Sequence, residues 1–264
     1  FEQVGASRFV VFPRFPREAP GRFSRQQIVL KKHEAFGLMN YTPSVARLTP
    51  VKSFGAQVQY TDRVEQNVQV QGVLPHWNVI EGRTIQSGRP FMSIDEDERR
   101  SVCLINDRAI QELNLPADPS GESILLAGRR FLIVGVVETK TLPTMFGGGE
   151  PLTEVFIPFA TADAWKPEPV FSVFIQGQTK SPELYSEAKA EIRAYLRKSR
   201  GLGPGDPDTF QVQAVEQFIE QIEKVAFTLT LAAVGIVTIS LIVGGIGIMN
   251  IMLASVSERT REIG

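Results

Sequence analysis

Between Lys224 and Glu258 the chain runs through VAFTLTLAAVGIVTISLIVGGIGIMNIMLASVS, about 33 residues without a charge, where roughly 20 cross a hydrocarbon core. The run predicts a transmembrane helix. About fifteen Val, Leu, Ile and Phe at roughly -0.3 to -0.6 kcal/mol each give on the order of -4 to -9 kcal/mol for insertion, an upper bound because only central positions count in full. A buried helix of a soluble core is the competing reading, but it would be shorter and carry a polar face.

The run is longer than a bilayer is thick. Upstream of it, Val215, Phe218, Ile219, Ile222 and Val225 recur at helical spacing, with Glu216, Gln217, Glu220, Gln221, Glu223 and Lys224 between them. Neither Gly nor Pro interrupts the join, so one helix is expected from near Ala214 to near Ser257, roughly 66 Å at 1.5 Å per residue. Inside the span Ser240, Gly244, Gly245 and Gly247 offer a surface on which another helix can approach closely, and Ser240 and Gly244 have small-xxx-small spacing. Asn250 is the one amide there and is expected to face a partner helix. Gly245 and Gly247 lack the third glycine and the preceding strand of a dinucleotide loop. Arg259 and Arg261 after the helix, against Lys224 before it, lean slightly toward a cytoplasmic C-terminus. The chain begins at Phe1 without an initiator methionine or leader and stops soon after the span, so it reads as a piece of a longer protein.

Composition removes several classes of function. With 28 Lys+Arg, 29 Asp+Glu and a net charge of -1, the chain has no electrostatic footprint for nucleic acid. One cysteine excludes an intrachain disulfide and a multi-cysteine zinc site, and the two histidines, His33 and His76, are far apart. No metal site, cofactor site or catalytic set is expected: no Ser/His/Asp or Cys/His arrangement stands out.

Residues 1 to 213 read as short strands with few helices: Arg8 to Phe12, Gln26 to Leu30, a hairpin of Ala56 to Tyr60 and Asn67 to Val73 around Asp62-Arg63, and Val102 to Ile105. Asn106 is a candidate N-cap for a short helix carrying Ala109, Ile110 and Leu113. Strands at Ser123 to Leu126, Arg130 to Glu138, Glu154 to Phe159 and Ser172 to Gln178 follow. Ser181-Pro182-Glu183 opens a helix with Leu184, Ala188, Ile192 and Leu196 on one face, and a strand near Thr209 to Val212 completes a β-α-β unit. Cys103 is expected to pack as a small hydrophobe. The run Asp95-Glu96-Asp97-Glu98 lacks the glycine and distal glutamate of a calcium loop and is expected to be a solvated turn. The Gly-rich stretch Lys140 to Thr153 lacks the Gly-Lys-Ser/Thr ending of a phosphate loop, and within it Met145 and Phe146 form a possible partner loop.

The segment ISLIVGGIGIMNIMLASVSERTREIG, residues 239 to 264, resembles the signature of MacB-type ABC transporter permeases with an FtsX-like membrane domain. The Gly82-Arg83 turn, VCLIND, the Gly128 to Val137 strand pair and EVFIPFAT at 154 to 161 are similar, in order, to the large periplasmic domain of that family. The resemblance implies an α+β fold. Residues 1–52 and 153–213 would form a porter-like subdomain, 53–152 an inserted, mainly β, sabre-like one, 214–257 a stalk and transmembrane helix, and 258–264 the start of a cytoplasmic coupling segment.

The resemblance further implies a permease subunit in the bacterial inner membrane, with residues 1–213 outside the cytoplasm, that converts ATP hydrolysis elsewhere into extracytoplasmic movement for export. It would not be an enzyme itself. ATP and Mg would belong to a partner or fused ABC ATPase domain, contacted by Glu258, Arg259, Thr260, Arg261 and Glu262. A second permease copy would make a dimer within membrane lipid, and a periplasmic adaptor and outer-membrane duct would complete the path. Three other readings stay open: an FtsX-like regulator of a cell-wall hydrolase, a membrane-anchored sensor or adaptor without ATP, and a tethered envelope enzyme. Further apolar spans beyond Gly264 would favour the permease, a short tail or signalling domain the sensor.

Overall fold

Alternate residues of Val173–Thr179 are buried, and the same period of two runs through Phe210–Ala214 and Ser123–Leu126. Sequences of this kind hide one face and must pair along both edges. The computed structural model describes residues 8–16, 21–140, 152–165 and 173–263. Two units separate along it, one carrying most of the chain through Gln217 and the other the helix from Phe218 onward.

In the first unit the strands are β1 (Arg8–Pro13), β2 (Val45–Tyr60), β3 (Arg63–Val73), β4 (Ile85–Gly88), β5 (Val102–Asn106), β6 (Ser123–Leu126), β7 (Arg129–Val137), β8 (Glu154–Pro158), β9 (Val173–Thr179) and β10 (Phe210–Ala214). Among the described residues they form one sheet in the order β10-β1-β9-β2-β3-β8-β5-β7-β4, with β6 pairing both β2 and β7. That last pairing closes β2, β3, β8, β5, β7 and β6 into a ring, which removes the exposed edges that short strands leave. Inside the ring pack Val58, Val70, Cys103, Ile105, Ile124, Phe131, Val155 and Ile157. Strand β4 pairs β7 beside the ring, and β10, β1 and β9 with the first half of β2 stay an open antiparallel sheet.

Helices cover the faces. On the open sheet lie α2 (Lys32–Tyr41) and α7 (Tyr185–Ser199), which bury Ala35, Leu38, Ile192 and Leu196 against Phe9, Val11, Leu48 and Ile175. Helix α6 (Phe159–Trp165) packs on β2 and β3 on the same side, while α3 (Trp77–Glu81) lies opposite. There Trp77 stacks on Phe156 with ring centroids 4.1 Å apart, within a third core with Val51, Val73, Leu104 and Val137. Each such side chain contributes about 1.5–3 kcal/mol when fully buried. Arg200, at the end of α7, donates Nε and Nη2 to Glu34 at 2.7 and 2.9 Å and Nη1 to Thr209 Oγ1 at 2.7 Å. It thereby ties α2, α7 and the start of β10 together.

The expected Asn106 cap is present: its Oδ1 accepts from Ala109 N at 3.1 Å and opens α5 (Asp107–Glu112). Cys103 is fully buried, and burial pushes its thiol well up. Two expectations are corrected. Residues 25–28 of the expected strand Gln26 to Leu30 instead include a short helix, α1 (Arg25–Ile28), because tertiary burial of Ile28, Val29 and Leu30 satisfies those apolar residues without a sheet. The acidic run is no solvated turn at its start. Asp95 is fully buried in α4 (Ser93–Asp97), accepting from both Arg89 nitrogens at 2.7 and 3.1 Å and from Met92 N at 2.9 Å. Glu96 accepts the Ala160 N–H at 3.0 Å, while Asp97 and Glu98 are exposed.

Candidate functional site: the apolar helix and its charged end

The last strand passes directly into helix α8 (Val215–Ile263), 49 residues and about 74 Å at 1.5 Å per residue. It starts where Ala214 leaves β10 and does not stop at Ser257 as expected. No Gly or Pro lies between Ser257 and Ile263, so nothing local terminates the helix at Ser257. Within α8, Lys224–Met252 has a mean hydropathy of 2.4, and none of this span is buried by the rest of the chain. Leu241 is 75% exposed and Ile251 69%, which water tolerates poorly over such a length and lipid accepts.

The polar atoms of the span divide into two kinds. Thr228, Thr230, Thr238 and Ser240 each donate to the carbonyl four residues back, at 2.9, 2.9, 2.8 and 2.9 Å. Their hydroxyls are therefore satisfied inside the helix. Asn250 makes no side-chain hydrogen bond among the described residues. A Cβ built on Gly244, Gly245 or Gly247 meets nothing within 4 Å. A signal not used in reading the sequence is visible once the helix is continuous: Ala226, Ala233, Ser240, Gly247 and Ala254 recur every seven residues. Such a repeat keeps one narrow stripe of small residues on a left-handed seam along the whole span.

The backbone of Glu258, Arg259, Thr260, Arg261 and Glu262 forms the last turns of α8. Their side chains lie outside the described residues, as do Met145 and Phe146. Among the described residues no group of three or more His, Cys, Asp or Glu is placed to hold a metal ion. The buried charged groups found instead are ion pairs, and sequence periodicity missed them because Arg83, Glu154, Arg200 and Glu34 lie far apart in the chain. Arg83 donates Nη1 and Nη2 to Glu154 at 2.6 and 3.1 Å and Nε to Glu81 at 2.7 Å. The αL conformation of Gly82, φ 61°, ends α3 and turns the chain into Arg83. Lys140 donates to the Glu81 carbonyl, and burial, reinforced by the charges of Arg8 and Arg83, lowers its pKa.

An α+β domain of an open sheet and a closed ring is followed by a helix long and apolar enough, by length and composition, to cross a membrane. The chain belongs to the family of the MacB-like periplasmic core domain, whose pattern matches residues 1–195. That match ends before β10 and α8, so the account of the helix rests on its own residues. The chain is 35% identical over 224 residues to the macrolide export ATP-binding/permease protein MacB of Hahella chejuensis, covering 84% of this chain and 33% of that protein. It thus spans about one third of the length of that curated relative. The fold is that of the periplasmic region of MacB from Actinobacillus actinomycetemcomitans, with a TM-score of 0.64 at 15% identity over 82% of this chain and 92% of that one. It is equally similar to the extracellular domain of the noncanonic ABC-type transporter YknZ from Gram-positive bacteria, at 0.63 and 16% over 78% and 99%.

Proposed function

We propose that the chain is the extracytoplasmic domain and second membrane helix of a MacB-type ABC transporter permease, working by mechanotransmission in a bacterial inner membrane. The observation that supports this most is the helix Val215–Ile263, which follows β10 without a break and carries an apolar span ending in Ser257-Glu258-Arg259-Thr260-Arg261-Glu262. In this reading ATP is bound and hydrolysed, with Mg, by an ABC ATPase domain that is fused or separate. Glu258, Arg259, Thr260, Arg261 and Glu262 meet its surface through charge-assisted hydrogen bonds, and α8 carries the displacement to β10. A helix is suited to this because its backbone bonds resist axial compression over its whole length. The Ser240, Gly244, Gly247 and Asn250 surface packs against another permease helix, in a dimer held in lipid. The porter-like part would take residues 1–52 and 153–213 and the inserted part 53–152, with β8 of the former pairing β3 and β5 of the ring. Cargo, a periplasmic adaptor and an outer-membrane duct would engage the domain beyond the membrane.

The test is to isolate the full-length protein in mild detergent and measure nucleotide hydrolysis by the complex, with Arg261→Glu as the perturbation. Hydrolysis that persists while transport is lost, or hydrolysis that itself falls, is expected from a contact at the ATPase surface. If no ATPase is fused or attached, or if Arg261→Glu leaves both hydrolysis and transport unchanged, the permease reading is wrong and a sensor or adaptor is the better account.

A further inference from the structure

Strand β2 is 16 residues long, but its neighbours β9 and β3 share almost none of it. Strand β9 pairs with residues from Val45 to Lys52, and β3 pairs with residues from Lys52 to Tyr60. Lys52 alone is paired with both β9 and β3, opposite Val173 and Gly72, whereas Val58 and Gln59 pair with β3 and β6 within the ring. The open sheet and the closed ring are therefore joined, at this seam, through a single residue of ladder overlap and the β2 backbone. A join of that kind bends easily unless side chains brace it, because adjoining ladders normally resist bending by sharing several residues.

Side chains brace it on both faces. On one face the Glu81–Arg83 turn reaches across: Glu81 accepts from Gln176 of β9 at 2.8 Å, and Arg83 holds Glu154 of β8, which also accepts from Gln71 of β3 at 3.4 Å. The Arg83 guanidinium lies 5.2 Å from the Phe156 ring centre and 5.8 Å from that of Trp77, so its charge is shielded from water. On the other face the Lys52 ammonium is buried and meets Asp163 of α6 at 3.4 Å, and the same carboxylate accepts from Lys32 of α2 at 3.1 Å. One brace is left incomplete. The amide oxygens of Gln71 on the ring and Gln176 on the sheet are buried with no donor among the described residues, a penalty that water would relieve if the two bodies parted.

We propose that Lys52 is a hinge between the open sheet and the ring, and that the Glu81–Arg83–Glu154 bridge and the Asp163 bridge are releasable clasps that make the two bodies move together. This deepens, and rests on, the mechanotransmission reading: displacement entering through β10 reaches the ring only while the clasps hold. Arg83 and Asp163 are positioning residues here, acting through the angle between the bodies.

The test is an interspin distance measurement on the full-length protein in lipid, with nitroxides on Lys189→Cys of α7 and Arg130→Cys of β7, both exposed. Cys103, fully buried with its thiol pushed up, stays unlabelled. With the clasps intact a single narrow distance is expected without nucleotide. The neutral variant Glu81→Gln/Arg83→Met/Glu154→Gln, which leaves no unpaired buried charge, should lose that single peak and broaden or split it. Asp163→Asn, at a partly exposed site, should broaden it less, and carries the test if the first variant does not fold. A narrow, unshifted distance in whichever variants retain native tryptophan fluorescence overturns the hinge. Because this comparison needs no nucleotide, its outcome is independent of whether an ATPase drives the protein. Loss of transport with hydrolysis retained in the same variants would then connect the clasps to coupling.

Discussion

The packing of α6 on β3 yields a sharp numerical expectation. Gly72 faces α6 so closely that a Cβ placed on it stands 2.3 Å from the Ala162 Cβ, and 3.6 Å from the Lys52 Cβ and the Phe159 Cα. Carbon atoms rest at about 3.5–4.0 Å, so Gly72→Ala must push the helix away by about 1.2 Å or more. Neither methyl can rotate out of the contact. Overpacking of this kind destabilises by about 1–3 kcal/mol, while replacing a strand glycine returns about 0.5–1 kcal/mol, so a net loss of about 1–2 kcal/mol is expected. Ala162→Gly alone should lose about 1 kcal/mol in helix propensity and about 0.8 kcal/mol for the missing methyl. Together the two changes move one methyl group from helix to strand and remove the clash. The double variant should therefore be about 1–2 kcal/mol more stable than the sum of the singles. Urea unfolding of the full-length protein in detergent, followed by the part of the tryptophan emission that Trp77→Phe and Trp165→Phe remove, reads this, since both tryptophans of this sequence precede α8. Additivity within about 0.3–0.5 kcal/mol would show that the two groups do not meet, and the reasoning would fail.

Two further expectations concern Asp95 and the apolar helix. Burial by itself would push the Asp95 carboxyl up, but the bonds from Arg89 and the Met92 N–H, with the charges of Arg89 and Arg100, outweigh it and hold the group below the usual range. Its folded pKa is thus below its unfolded value of about 3.9, so its stabilisation is complete above that pH and is lost as pH falls through the folded pKa. Asp95→Asn should flatten the acid limb of a stability profile and destabilise by about 1.5–3 kcal/mol at neutral pH; an unaltered acid limb would count against the ion pair. In the membrane, Gly247→Leu should weaken helix association by about 1–3 kcal/mol and Asn250→Leu by about 0.6 kcal/mol. Energy transfer between labelled copies in lipid measures both, and unchanged association in the two variants would remove that face from the contact.

What could be read from residues alone was whatever repeats over a short distance. The apolar run 225–257 announces α8 because hydropathy accumulates along one helix, and the alternation of Val and Gln in 56–60 and 67–73 announces strands because neighbouring side chains point to opposite faces. Asn106 announced its cap for the same local reason: the bond spans three residues. The resemblance carried by ISLIVGGIGIMNIMLASVSERTREIG added an α+β domain of the right family. The acidic run defeated this approach, since whether Asp95 is solvated depends on Arg89 and Arg100 and on the packing around them.

The sequence by itself therefore determined the long apolar helix and the strand-rich domain, both of which follow from residue type and near spacing. Only the tertiary structure decided that β6 closes a ring, that β2 is shared by β9 and β3 with Lys52 as their overlap, and that Arg83 faces Glu154. Those facts depend on which strands pair across more than a hundred residues, as Thr49 does with Gln176. Such pairing is selected by the summed burial of both partners, a quantity that no single segment carries.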